Sequence, residues 1–207
     1  SARSMPSPSF TFDPIAHIYY LDGVEIPGVS DALEEGGLKH SYGGFQEAQW
    51  RGLHVHNACE LLDLGDLDWN SVYPQWLGYV KSWERFKEEY GFINELVEFQ
   101  TYHPAYHYGG TIDRRGRCSG ITLDYNHLTP GRRVLADLKT GAPEDWHRFQ
   151  LAGYQALRFE DWKDDLRLGI YLQEDGSCAK YVKYEQSEDL RLFLAALTIT
   201  HYKRSQR

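Results

Sequence analysis

VLADLKTG, residues 134–141, is the run on which the fold turns. Val134, Ala136 and Leu138 alternate with Leu135, Asp137 and Lys139. A strand sends successive side chains to opposite faces. One face is therefore apolar, while the other holds a carboxylate and an amine two residues apart. Such a pair can bind a divalent cation through the aspartate while the lysine meets an attacking water or a phosphate. An Asp-x-Lys pair by itself is more often the mark of an exposed ion pair at a strand end. Its company separates the two readings.

Upstream, GGTID ends at Asp113, at the close of another strand-like run and just before Arg114, Arg115 and Gly116. Downstream, QLAGY places Gln150 and Tyr154 four residues apart in a helical segment, hence on one face. Further upstream lies RGLHVHNACELLD, residues 51–63. There Val55, Cys59 and Leu62 recur at helical spacing, His56 lies beside that stripe, and Glu60 follows one turn later. His54 is rotated away and reads as a neighbour of the site.

Taken in order, GxxD, DxK and QxxxY resemble the RecB-like branch of the PD-(D/E)xK nuclease superfamily. His56 and Glu60 are similar to that branch's first-helix motif. FDPIAHIYYLDGVEIPGVSDAL, residues 12–33, looks like the opening of its phage and prophage members. The matching pieces span most of residues 10–160. The resemblance implies an α/β fold with a mixed sheet and a restriction-endonuclease-like core: helix, three strands, the DxK strand, helix, strand, with an N-terminal hairpin and added helices. It implies a divalent-metal-dependent DNA nuclease, of the phage or prophage exonuclease kind, working in recombination, repair or processing. Mg²⁺ or Mn²⁺ would be held by Asp113 and Asp137, with His56 and the main-chain carbonyl of Leu138 as further ligands by analogy. Lys139 would position or deprotonate the water and offset transition-state charge, and Gln150 and Tyr154 would contact the strand or brace the lysine. Glu60 could orient His56, meet a second cation or pair with an arginine. Glu98 is either an auxiliary carboxylate or a surface residue. DNA is the implied partner, with a single-strand annealing protein or a helicase beside it. Two rival readings stand next to this one: a nucleic-acid-binding module without turnover, and a structural or partner-recruiting phage protein.

The 207 residues and 24.0 kDa suit one domain from residue 10 onward. Residues 1–9 read as a flexible N-terminus whose first four, before Met5, are an expression remnant. No apolar run approaches the ~20 residues of a membrane span. Cys59, Cys118 and Cys178 fit neither a disulfide framework nor a zinc site, which points to a reducing cytoplasm. Three cysteines cannot supply the four ligands of an iron-sulfur cluster, so none is expected. The net charge of -8 is unusual for a DNA-binding protein. A local groove of Arg114, Arg115, Arg117 and Arg148 around the acidic pair is the expected remedy. Gly109-Gly110 lacks the pattern of a phosphate loop.

Asp22-Gly23 predicts a hairpin between strands at 18–20 and 24–26. Ser30 or Asp31 is the candidate cap of a short helix ending at Gly36-Gly37, followed by a loop over 38–44. A helix covers 45–63. Pro74 opens another, whose Trp76, Tyr79, Val80, Trp83, Phe86 and Tyr90 form a buried stripe closed by Gly91. Extended segments at 95–102, 107–113 and 120–125 form a meander. Pro143 and Glu144 start the helix bearing Gln150, strands follow at 168–172 and 179–184, and Ser187 caps a C-terminal helix.

Overall fold

Successive residues of the VLADLK strand enter two different cores, and the layers of the molecule follow from that. The computed structural model describes residues 4, 6–40, 46–119 and 128–207. The strand is β6 (Arg133–Lys139) in a five-stranded sheet, ordered β4 (Phe92–His103), β5 (Tyr108–Cys118), β6, β7 (Leu166–Tyr171), β8 (Lys180–Lys183). All neighbours are antiparallel except β6 and β7, which are parallel. Helix α4 (Trp146–Leu157) and the short α5 (Phe159–Trp162) make the crossover that a parallel pair requires.

Val134, Ala136 and Leu138 pack with Leu168 and Ile170 against α2 (Gln46–Leu64) and α3 (Leu77–Tyr90), which contribute Val55, Cys59, Val80, Trp83 and Phe86. Leu135 belongs to the second core, with Leu33 of α1 (Val29–Glu35), Leu151 and Tyr154 of α4, and Phe193 and Leu197 of α6 (Asp189–Ser205). A strand covered on both faces is the normal state beside a parallel pair. Asp137 is consequently buried rather than solvent-facing. Trp83 is fully buried, so truncating it to alanine should cost about 3–5 kcal/mol.

A second sheet of three antiparallel strands, β1 (Phe10–Asp13), β2 (Ile18–Leu21) and β3 (Val24–Ile26), docks on the start of β5. The hairpin forms as expected, because Asp22 and Gly23 both adopt positive φ, 51° and 77°, as a two-residue primed turn demands. Tyr19 donates or accepts a 2.7 Å hydrogen bond with Thr111 of GGTID. Both glycines of that motif serve close approach. A Cβ on Gly109 would lie 2.8 Å from the Tyr19 ring, and one on Gly110 would lie 2.9 Å from Leu157 and 3.2 Å from Tyr154.

Several boundaries differ from expectation. Gly28 is the N-cap of α1; Asp31, at the third helical position, accepts a 2.8 Å bond from its N–H. Glu188, not Ser187, precedes α6. Pro74–Trp76 is a 3-10 turn ahead of α3. The third meander segment, 120–125, lies outside the described residues, as does most of the loop at 38–44. Among the described residues no helix is long and apolar enough to cross a membrane.

Candidate metal centre

The ladder between β5 and β6 runs Arg117↔Arg133, Gly116↔Val134, Arg115↔Leu135, Arg114↔Ala136. Asp113 and Asp137 come next and so stand side by side. Asp113 is thus inside a long strand, not at its end. Instead of another main-chain pair, the Asp113 carboxylate Oδ2 accepts the Leu138 N–H at 2.8 Å. On the other side of β5, β4 departs from regular geometry opposite this point. Pairing of β4 with β5 passes from Phe99↔Ile112 to Val97↔Arg114, and Glu98 between them holds φ at 46°. A positive φ is a strained choice for a non-glycine residue in a strand. Ile112 packs in the α4 core, whereas Arg114 meets Asp63 of α2 and Trp83 of α3. Residues two apart in a regular strand share a face, so the alternation breaks at Asp113.

The break brings three elements together. His56 of α2, Glu98 of β4 and Asp113 of β5 offer ligand atoms that all lie within 4.8 Å of one another. His56 Nδ1 is 3.6 Å from Asp113 Oδ2 and 3.9 Å from Glu98 Oε1. Its other nitrogen, Nε2, makes a 2.7 Å hydrogen bond with the Leu138 carbonyl. Metal-binding histidines commonly donate their second N–H to a backbone carbonyl in this way, which fixes ring and tautomer. The Leu138 carbonyl, expected as a ligand, is therefore placed to orient His56. Glu98, left open between auxiliary and surface roles, joins the group. Asp137 stands beside Asp113 but outside the three.

Lys139 Nζ lies 2.6 Å from Asp137 Oδ2 and donates a 2.7 Å hydrogen bond to Gln150 Oε1, while Gln150 Nε2 reaches Tyr154 Oη at 3.4 Å. Its ammonium also sits 4.7 Å from the centre of the Trp146 ring. The ammonium thus faces Asp137 Oδ2, a buried oxygen with no other partner among the described residues. Behind the lysine, His147 shares a 2.8 Å hydrogen bond with Tyr171 Oη, and burial, helped by the Lys139 charge, pushes its imidazole down to about 3.

The electrostatics are those of a site short of positive charge. Burial, and then the neighbouring Asp137, hold the Asp113 carboxyl well above the usual range. Burial acts on Asp137 in the same direction, but Lys139 and a hydrogen bond from Asp113 outweigh it and bring that carboxyl below its ordinary value. Burial would lower His56, yet Asp113, Glu98 and Asp137 more than offset it and push the imidazole up to about 9. Crowded carboxylates that recruit protons in this way are a common signature of functional sites.

Other expected residues fall elsewhere. Glu60 lines an outer cleft beside His54 and Trp76, while His56 takes its contacts from Leu138, Asp113 and Glu98. The arginine groove around the acidic pair does not form. Arg114 is fully buried on Asp63 and Glu98, and Arg115 grips Asp165 through two bonds of 2.7 and 3.1 Å. Arg148 ties α4 to the buried Asp189 of α6 at 2.7 Å. Only Arg117 of the four is half exposed, and it lies 3.7 Å from Glu95. Each arginine meets a carboxylate of the chain itself. Asp63 carried no expectation, although it sits seven residues after His56 and hence on the same side of α2. Neither a scan against protein-family models nor a search of curated proteins finds a match to this chain.

Proposed function

We propose that this protein is a divalent-cation-dependent DNA nuclease of the PD-(D/E)xK type, in its RecB-like branch. The observation that carries the reading is the buried pair of Asp113 and Asp137 beside a lysine that Gln150 holds in place. The helix, antiparallel strands, DxK strand, helix and parallel strand of the described residues suit that core.

The residues present fit a hard cation, Mg²⁺ or Mn²⁺. Asp113 and Glu98 supply hard oxygen ligands, the buried Asp137 carboxylate beside Lys139 supplies another, and one imidazole, His56 Nδ1, leans the set toward Mn²⁺. When bound, such a cation polarises a phosphate oxygen and makes a coordinated water more acidic. The chain's own groups do the rest. Lys139, restrained by Gln150 and by the Trp146 ring, positions the water and offsets charge growing on the phosphorane oxygens. His56 is kept in one orientation by the Leu138 carbonyl. Tyr154, whose hydroxyl burial and the two aspartates hold far above its ordinary range, stays neutral and supports Gln150. The finer reading, a phage or prophage exonuclease acting in recombination, repair or processing, rests on the resemblance.

One assay tests the proposal. Linear and covalently closed DNA are incubated with Mn²⁺, using the parent and Lys139→Ala. Metal-dependent loss of linear DNA, reduced about 10²- to 10⁴-fold by Lys139→Ala, is the expected result. Residual activity within tenfold removes the lysine from the mechanism, and equal attack on the closed circle replaces the exonuclease reading with an endonuclease. Binding without cleavage would favour the rival reading of a nucleic-acid-binding module, and neither would favour a structural or partner-recruiting protein. That second rival draws on the internal engagement of Arg114, Arg115 and Arg148.

A further inference from the structure

Two clefts meet at His56, and they differ in chemistry. The first, about 810 Å³, is lined by Trp50, His54, Tyr73 and Trp76 and is closed at the centre by His56 and Glu98. The second, about 620 Å³, runs on from His56 past Lys139, Arg51 and Lys39, with Glu34 and Glu144 also on its wall. Core packing accounts for Trp76, but not for the outer rings of the wall. Trp50 and Tyr73 are 58% and 53% exposed, so neither ring is buried in the core. The rings are also already arranged as a stack: His54 lies on Tyr73 with centroids 4.5 Å apart and planes within 13°, and Trp76 is 5.2 Å from His54. A 3.3 Å bond from the Tyr73 N–H to His54 Nε2 holds the pair.

We infer that the aromatic cleft receives unpaired nucleobases, so that a single strand of DNA passes from it across the centre into the cationic cleft. This rests on the nuclease reading above. Bases and phosphates need different walls: the aromatic faces lie on one side of His56, beside Glu60, while the three cations, Lys39, Arg51 and Lys139, lie on the other, interspersed with Glu34 and Glu144. Stacking on aromatic rings is open only to a base whose faces are free, which a duplex denies. The volume lies within the range of about 300–1,000 Å³ that encloses a drug-sized group, room enough for a nucleoside. Stacking also answers how a chain of net charge -8 holds a polyanion, because it supplies affinity that needs no phosphate neutralisation.

The test reads binding apart from turnover. Fluorescence anisotropy in Ca²⁺ compares a labelled octathymidylate, an abasic oligomer of the same length and a duplex, against the parent, Trp50→Ala, Tyr73→Ala and Trp50→Phe. The parent should prefer octathymidylate to both other probes. Each alanine variant should lose about 5- to 150-fold for octathymidylate and little for the abasic oligomer, while Trp50→Phe keeps most of the affinity. Both side chains are exposed, and unchanged circular dichroism verifies that the variants fold. Equal affinity for thymidylate and abasic strands, a duplex bound as tightly, unaltered binding in both alanine variants, or no binding to any probe would each overturn the inference. Preferential thymidylate binding with no hydrolysis in any metal would leave it standing and sink the nuclease reading. Hydrolysis with no stacking would do the reverse.

Discussion

Asp113 and Arg114 are consecutive residues of β5, both buried, yet they sit in charge clusters of opposite character. Around Arg114 the charges balance. Asp63, with no exposed side-chain surface, accepts from Arg114 Nε at 2.7 Å, from Trp83 Nε1 at 3.0 Å and from Lys87, while Glu98 meets Arg114 Nη1 at 3.2 Å. Two cations face two carboxylates, and one guanidinium nitrogen, Nη2, is left over. Around Asp113 the charges do not balance. Asp113, Asp137 and the shared Glu98 outnumber Lys139 unless His56 takes a proton as well. A charge-balanced buried cluster holds a fold in one geometry; an acidic one short of positive charge is suited to a cation. Glu98, on its strained backbone, belongs to both, so the structural cluster helps set the position of a carboxylate of the other.

The comparison breaks most visibly by removing the anchor of the balanced cluster. Asp63→Ala leaves Arg114 buried without its main partner and should cost about 3–5 kcal/mol in urea unfolding. Asp113→Asn, one residue away from Arg114, should cost far less in cation-free buffer. A comparable loss in both variants would erase the distinction.

Adding the missing charge sharpens it. A divalent cation at about 100 times its Kd should stabilise the parent by about 2.7 kcal/mol, seen as a rise in Tm, and should do nothing for Asp113→Asn. An equal rise in the variant would place the cation elsewhere.

The pH dependence should follow the same division. Asp113 and His56 both bind protons more tightly when folded than when unfolded, since burial with Asp137 raises the first and the surrounding carboxylates raise the second to about 9. Stability from His56 is then fully present below its unfolded value of about 6.5 and is lost as pH rises toward 9, and the Asp113 contribution fades in the same direction from a lower starting point. Cation-free protein should therefore weaken between pH 6.5 and 9, more steeply than Asp113→Asn, in denaturation midpoints across that range. Cation affinity should rise over the same interval, because the proton on His56 competes with the metal. A flat parent profile would contradict the protonated His56.

The smallest effect should come from the exposed pair. Arg117 and Glu95 are 3.7 Å apart with the arginine half exposed, so Arg117→Gln should move stability by no more than about 0.5 kcal/mol. A loss of several kcal/mol would mean that exposed and buried clusters on β5 are energetically alike.

Much of the architecture could be read from local pattern. The two-residue period of VLADLK, the helical spacing in α2 and α3, the Asp22-Gly23 turn and the four-residue step from Gln150 to Tyr154 depend on a residue and its near neighbours, and all appear where that pattern places them. Local spacing also put Asp137 and Lys139 on one face and brought Lys139 to Gln150 across a single crossover. What a charged side chain meets is different, because it depends on strand register, on bulges and on helices far away in the chain. Arg114, Arg115 and Arg148 read as a basic groove and became internal staples, since Asp63, Asp165 and Asp189 reach them only after folding. Glu98 entered the acidic group through one positive φ opposite Asp113, and the Leu138 carbonyl turned to His56 through contact between α2 and β6. Periodicity is a property of the chain, written in the sequence itself; the partner of a buried charge is a property of the packing, and only the tertiary structure could choose it.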